Sequence, residues 1–226
     1  KYWIPRFLRK PIAKCVAFAE WVCSHFVSTI VAATPSIARK FPPQKTVIVQ
    51  NFPIYEEIFD VAAAPYRSRK EAIAYVGGLS KKQGFFKILE AFDLVMREMP
   101  AALLLAGDFE NQLTKHRAEA LPVWSRVTYL GWLDRRSVRG VLNSARLGLV
   151  VDEPLANYLE GYSTKLFEYM AAGIPVVVSN FPLWRDIVEG AGCGIAVDPL
   201  DTNAIADAVK HLLSNRDDAE RMGVRE

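Results

Sequence analysis

The sequence is short of the residues that build disulfide frameworks and metal sites. Only three cysteines and three histidines occur among its 226 residues. Cys15, Cys23 and Cys193 have no metal-ligand spacing, and an odd, unpatterned set reads as idle or buried thiols of a reducing compartment. Cys15 and Cys23 stand two helical turns apart, which is core spacing. His25, His116 and His211 fall on stretches of helical character and belong to no motif. Net charge is also scarce: 28 basic against 25 acidic residues leave +3, too little to argue for nucleic acid as a partner. A membrane-spanning run is missing, because the most apolar stretch, Val16 to Ala33, is broken by Glu20, Ser24 and His25. No signal peptide is visible, and the chain does not open on Met, as expected for a piece of a longer protein.

Acidic residues are absent in particular from the start of the chain. Lys1, Arg6, Arg9, Lys10 and Lys14 all precede Glu20, with Tyr2, Trp3, Ile4, Phe7 and Leu8 among them. That mixture suits contact with a membrane surface, and equally suits a solvated amphipathic helix packed on another domain.

What is abundant is aliphatic material in a regular alternation. Apolar runs at Ala72–Val76, Ala101–Ala106, Val127–Leu130, Leu147–Val151, Pro175–Ser179 and Gly194–Val197 are each followed by a polar or amphipathic stretch of helical length. The helical stretches fall near Phe85–Met99, Glu110–Ala120, Asp134–Ser144, Lys165–Ala172, Leu183–Glu189 and Asp201–Leu213. Strands that are apolar throughout, rather than alternating, are buried on both faces, which predicts a parallel sheet covered by helices. Six such units predict a doubly wound α/β domain. The segment before Ala72 differs: a helix over about Ile12–Phe26, a strand at Thr29–Ala33, a short helix from Pro35 and a strand at Thr46–Gln50. Asn51-Phe52-Pro53 and the Ala/Pro-rich Val61–Pro65 read as a linker. A boundary near Asn51 therefore divides 1–50, the end of another domain, from 51–226.

In open α/β sheets ligands bind outside the carboxyl ends of the strands. Here those ends read Gly77-Gly78, Gly107-Asp108, Gly131-Trp132 and Ser179-Asn180, and the fourth leads to the loop Glu160-Gly161-Tyr162-Ser163-Thr164. Glycines in that register let backbone approach a ligand closely. Gly161 to Thr164 open a helix whose first-turn N–H groups lack internal partners, an end that attracts phosphate. Glu160 on the loop and Glu168 on the helix can face one pocket, and a carboxylate can accept hydrogen bonds from both hydroxyls of a diol.

The run from Glu160 through Lys165 and Glu168 to Val177 resembles the E-x7-E segment of the retaining GT-B glycosyltransferases, approximately E-G-F-G-x-x-x-x-E-A-M-A-x-G-x-P-V-V. Val76-Gly77-Gly78-Leu79 to Gln83-Gly84 lies where that family has V-G-R-L followed by K-G. Leu103–Gly107 and Tyr129-Leu130-Gly131 are similar to its next strand ends, and Val49-Gln50-Asn51 is similar to its interdomain hinge. The resemblance implies the donor-binding half of such an enzyme: a Rossmann-like GT-B C-terminal domain preceded by a remnant of the first GT-B domain. It implies transfer of a sugar from a nucleoside diphosphate to a saccharide or lipid-linked acceptor hydroxyl with retained configuration, without cofactor. It places Glu160 at the reacting centre on the donor sugar and Glu168 on the ribose diol. Backbone N–H groups of Tyr162, Ser163 and Thr164 would meet the diphosphate or the donor sugar, and Gly131-Trp132-Leu133 the base. No D-x-D is present to bridge a diphosphate through a metal ion.

The departures from the family are specific. Its diphosphate-neutralising Arg and Lys correspond here to Gly78 and Gln83, so replacement cations are expected from Lys81, Lys82 and Lys165. The acceptor-side residues would lie before Lys1, and the chain stops at Met222-Gly223-Val224, before the final helix of the family. By resemblance, the setting is surface-polysaccharide or lipopolysaccharide assembly in the cytoplasm, at the inner membrane face. Two rivals remain: a GT-B relative that binds a nucleotide sugar without transferring it, and a dinucleotide-dependent oxidoreductase. The latter lacks G-x-G-x-x-G, and no acid closes the next strand unless Asp108 serves.

Overall fold

The computed structural model describes residues 4–59 and 65–223. The flanking Lys1, Tyr2 and Trp3, most of the Val61–Pro65 linker, and Val224 lie outside the described residues. The chain divides into two compact units, Lys1–Asn51 and Phe52–Glu226.

In the first unit, α1 (Arg6–Phe26) is followed by β1 (Ile30–Ala32), α2 (Pro35–Ala38) and β2 (Thr46–Ile48). The two strands pair in parallel, Ile30 beside Thr46 and Ala32 beside Ile48. Thr34 starts α2 because its Oγ1 accepts from the Ile37 amide at 3.3 Å. The helix begins six residues before the expected Ile12 and carries Pro11 inside it. At the sixth helical position Pro11 has no amide to give the Phe7 carbonyl, so the helix runs through the basic stretch with one bond of its ladder forgone. Cys15 and Cys23 are exposed rather than in a core, and only Cys193 is buried. Their two-turn spacing therefore marks an outward face of α1.

The second unit opens with α3 (Tyr55–Ile58) and β3 (Ala72–Val76). Then come α4 (Phe85–Glu98), β4 (Ala102–Ala106), α5 (Gln112–Glu119), β5 (Val127–Gly131), α6 (Arg135–Ser144), β6 (Leu147–Val150) and α7 (Ala156–Leu159). It closes with α8 (Thr164–Ala171), β7 (Val176–Ser179), α9 (Pro182–Ala191), β8 (Gly194–Val197), α10 (Thr202–Ser214) and α11 (Arg216–Gly223). The sheet order is β5-β4-β3-β6-β7-β8 with every neighbouring pair parallel, the expected doubly wound arrangement. Leu103, Leu105, Leu147, Val150, Val176, Val177 and Val178 are all buried. Each such side chain contributes about 1.5–3 kcal/mol by leaving water, which is why these strands read as unbroken apolar runs.

The helices start where side-chain caps allow. Asn111, Asp134 and Asp201 accept from the Thr114, Ser137 and Ala204 amides ahead of α5, α6 and α10. Gly84, at φ +67°, begins α4, and a Cβ there would stand 1.7 Å from the Val151 carbonyl oxygen. That approach brings the loop after β3 against the end of β6. Three helices have no counterpart in the sequence pattern, α3, α7 and α11. The four-residue α3 and α7 lie between the strands in stretches without helical period, and α11 buries only Ala219 while Arg67 pairs with its Asp217 and Glu220.

Candidate functional site

The strand order reverses between β3 and β6, and a cavity of about 260 Å³ opens there, outside the carboxyl ends of both strands. Gly77, Gln83 and Asp152 line one side of it, and Gly161, Tyr162, Ser163, Thr164 and Lys165 line the other, at the N-terminus of α8. Larger hollows lie elsewhere. One of about 520 Å³ against α1 is mostly apolar, and one of about 600 Å³ near His211 is lined by Arg67, Arg216, Asp217 and Asp218. Those charges already pair with acidic or basic neighbours. Of these three cavities among the described residues, the one at the switch point joins a helix N-terminus to a cation and to glycine backbone.

Lys165 is the second residue of α8 and turns into this cavity. Its Nζ lies 3.2 Å from Asp152 Oδ1 and 3.5 Å from the Tyr75 hydroxyl, above the Tyr75 ring at 4.9 Å. Gly77, at φ +148°, gives the lysine room, since a Cβ there would sit 3.0 Å from its Cδ. Burial pushes the Tyr75 and Tyr169 hydroxyls up, so both stay neutral and serve as hydrogen-bonding groups. Tyr75 donates to the Gly78 carbonyl at 2.8 Å, and the Tyr169 oxygen accepts from the Val76 amide at 2.9 Å. These contacts fix the backbone at the end of β3. The loop before α8 is fixed from the other side, where buried Trp184 donates Nε1 to the Gly161 carbonyl at 2.7 Å.

Gly78, Lys81, Lys82, Gly131, Trp132, Leu133, Glu160 and Glu168 lie outside the cavity lining, which Gln83 joins. Gln83 fills the place above Gly78: a Cβ on Gly78 would stand 2.4 Å from its Oε1, which accepts from Ser80 Oγ at 3.2 Å. Lys81 is exposed, and Lys82 is half exposed with Glu110 at 3.9 Å. Glu160 is exposed at the end of α7. Glu168 is buried and paired with Arg135, itself 3.4 Å from Glu57. The two glutamates therefore do not share this cavity. Gly131 takes φ +69° and accepts from the Gly107 amide at 2.7 Å, while Trp132 is 70% exposed and Leu133 packs on the core. Asp152, Arg135 and Trp184 were not singled out in the sequence. Asp152, an acid closing the apolar run of β6, was the one with a readable signal.

Among the described residues no group of three or more His, Cys, Asp or Glu side chains could hold a metal ion. No described helix is long and apolar enough to cross a membrane.

Residues 57–225 match the family described as glycosyl transferases group 1. The chain belongs to this family. The group 1 match leaves no place for the dinucleotide-dependent reading. Among the curated relatives, the O-antigen chain mannosyltransferase B of Escherichia coli is 26% identical over 151 residues, covering 65% of this chain and 37% of that protein. The fold is that of solved glycosyltransferases. Anabaena HepE, in a complex with UDP and glucose, superposes with TM-score 0.72 at 14% identity, covering 89% of this chain and 58% of that one. The C-terminal domain of the group 1 protein LpcC from Francisella tularensis superposes with TM-score 0.64 at 14% identity, covering 76% of this chain and 93% of that domain. The chain spans 36% to 40% of the length of the curated relatives it matches over 148 to 174 residues.

Proposed function

We propose that residues 51–226 are the donor-binding half of a retaining GT-B glycosyltransferase and that residues 1–50 close its acceptor-side domain. The reaction is transfer of a sugar from a nucleoside diphosphate to an acceptor hydroxyl on a saccharide or lipid-linked molecule, in surface polysaccharide or lipopolysaccharide assembly. The observation that carries this reading is the convergence of Lys165, the first-turn amides of α8 and the Gly77 backbone on one cavity at the strand switch point. Anionic ligands are favoured at such a helix end, where unsatisfied N–H groups and the dipole act together. Family membership and the fold shared with UDP-bound Anabaena HepE support it.

In this reading the diphosphate lies against Thr164, Ser163, Tyr162 and Lys165. Trp132 and the backbone of Gly131 and Leu133 receive the base. Glu168 meets the ribose diol after exchanging its Arg135 contact, and Glu160 reaches the donor sugar at the reacting centre. Gly78 leaves room for the diphosphate, and Lys81 and Lys82 add charge at its rim. The leaving diphosphate gains charge as the glycosidic bond breaks, and fixed donors with Lys165 stabilise it. Membrane-surface contact through the basic α1 brings the enzyme to a lipid-linked acceptor.

A second reading, donor binding without transfer, is favoured by one contact: the carboxylate of Asp152 already neutralises Lys165. One experiment separates the two. The native full-length polypeptide is incubated with nucleotide sugars and acceptor, and the product anomer is read by NMR, while residues 1–226 alone are titrated with nucleoside diphosphates. Transfer with retention by the full-length protein, and binding without transfer by 1–226, supports the proposal. Binding without transfer by both leaves the second reading, and inversion removes the retaining mechanism.

A further inference from the structure

Asp152 is an acid in a cavity that the preceding reading assigns to an anion. Its side chain is 5% exposed and stands just beyond the carboxyl end of β6. Main-chain contacts hold it from both sides: Ser179 Oγ donates to the Asp152 carbonyl at 2.8 Å, and the Glu153 amide donates to the Lys82 carbonyl at 2.8 Å. With its main chain fixed and its side chain nearly buried, the carboxylate forms part of the cavity wall. Its charged partner is Lys165, 13% exposed, at 3.2 Å. Lys165 is also the cation beside the first-turn amides of α8 and under Gly77. A ligand phosphate entering the cavity meets an ammonium already engaged by a fixed negative charge.

We propose that Asp152 is a positioning residue that competes with the bound diphosphate for Lys165, and so limits how tightly a nucleoside diphosphate is held. In the empty cavity it keeps the ammonium under Gly77. When a diphosphate is present, the terminal phosphate and the Asp152 carboxylate share one cation and repel one another across a partly dehydrated space. The repulsion works against a species with charge near Lys165 and spares one whose charge ends a phosphate earlier. Asp152 thereby favours departure of the diphosphate product after the sugar has left it, at some cost in donor affinity. Specificity of this kind needs a repulsive element as well as an attractive one.

This inference rests on the donor-site reading, and the test separates the failure of each. Wild-type protein, Asp152→Asn and Lys165→Gln are titrated calorimetrically with UDP and UMP, and in parallel with GDP and GMP. Asparagine keeps the shape and an oxygen for the Lys165 ammonium while removing the charge. Asp152→Asn should tighten the diphosphate about tenfold and leave the monophosphate within about twofold, whereas Lys165→Gln should weaken the diphosphate about tenfold with the same indifference to the monophosphate. Those opposite movements of the diphosphate-to-monophosphate ratio are something a merely structural contact would not produce. An unchanged or weakened diphosphate in a folded Asp152→Asn protein overturns the inference and leaves the donor site standing. Should Asp152→Asn not fold, Asp152→Ser is put through the same titration, and an unchanged ratio in Lys165→Gln is by itself enough to overturn the proposal. Wild-type protein that binds none of the four nucleotides overturns both.

Discussion

Arg135 Nη1 lies 2.5 Å from Glu168 Oε1, so the second glutamate of the E-x7-E segment is engaged by a cation from α6. The carboxylate is 9% exposed and the arginine half exposed, and the hydrogen bond between them holds the arginine proton more firmly than usual. Removing Arg135 leaves a nearly buried charge short of its partner. Arg135→Ala should therefore lower stability by about 1–2 kcal/mol, discounted because the arginine is solvated. Chemical denaturation measures this.

Glu168→Ala should weaken nucleoside-diphosphate binding by about 1.5–3 kcal/mol, the scale of hydrogen bonds to a charged group. The comparison that isolates the ribose is with 2′-deoxy-UDP. Preference for UDP over its deoxy analogue should be present in the wild-type protein and lost in Glu168→Ala. An equal loss of affinity for both nucleotides would remove the ribose assignment.

Glu160 should behave differently. It is exposed at the end of α7, so Glu160→Ala is expected to leave the melting temperature within about 1 °C, as for most surface changes. In the native full-length polypeptide it should lower turnover more than diphosphate affinity, since the proposed partner is the sugar. Steady-state kinetics beside calorimetry with the diphosphate gives the answer.

Trp184→Phe keeps most of a buried ring and removes the hydrogen bond to the Gly161 carbonyl. The orphaned carbonyl and lost bond should cost about 1–3 kcal/mol. Because that bond holds the loop leading into α8, nucleotide affinity should fall even where the variant is fully folded. Thermal melts and titration on the same sample distinguish the two effects.

Alkaline pH provides a test of the core beside β6. Tyr66 is buried with its hydroxyl donated to the Arg146 carbonyl at 2.9 Å, and burial pushes its pKa up to about 12. The folded chain thus keeps a proton that the unfolded chain releases near pH 10. The stability this represents is complete below about pH 10 and is lost as pH rises toward 12. Unfolding free energy measured between those values should decline, and Tyr66→Phe should show a shallower decline.

The frame of the second unit was legible because its strands are buried on both faces. Runs such as Leu147–Val150 and Val176–Ser179 have no helical period and no alternation to confuse them. The caps Asp134 and Asp201 likewise put chemistry into the sequence at the point where it acts. What stayed hidden consists of pairings across the fold. Lys165 with Asp152, Arg135 with Glu168 and Trp184 with Gly161 join residues 13, 33 and 23 positions apart, on elements whose contact depends on strand order. Lys165 could be named as a cation of the site, but its counter-charge could not. Pattern also misled at α1, where the spacing of Cys15 and Cys23 suits a core and the structure exposes both.

The sheet order has a consequence for how the chain acquires its structure. Ile73 pairs with Leu147, so β3 waits for a neighbour that is 147 − 73 = 74 residues further along. At ribosomal rates of roughly 5–20 residues per second, that is an interval of about 4–15 s. Once β4 and β5 have followed within it, a nascent β5-β4-β3 half-sheet would present the inner edge of β3, with Ala72, Ile73, Ala74 and Tyr75, as an open template for any extended strand nearby. A strand at the centre of the finished sheet is thus an open edge during synthesis, and the arrival of β6 both completes the ligand crevice and closes that hazard.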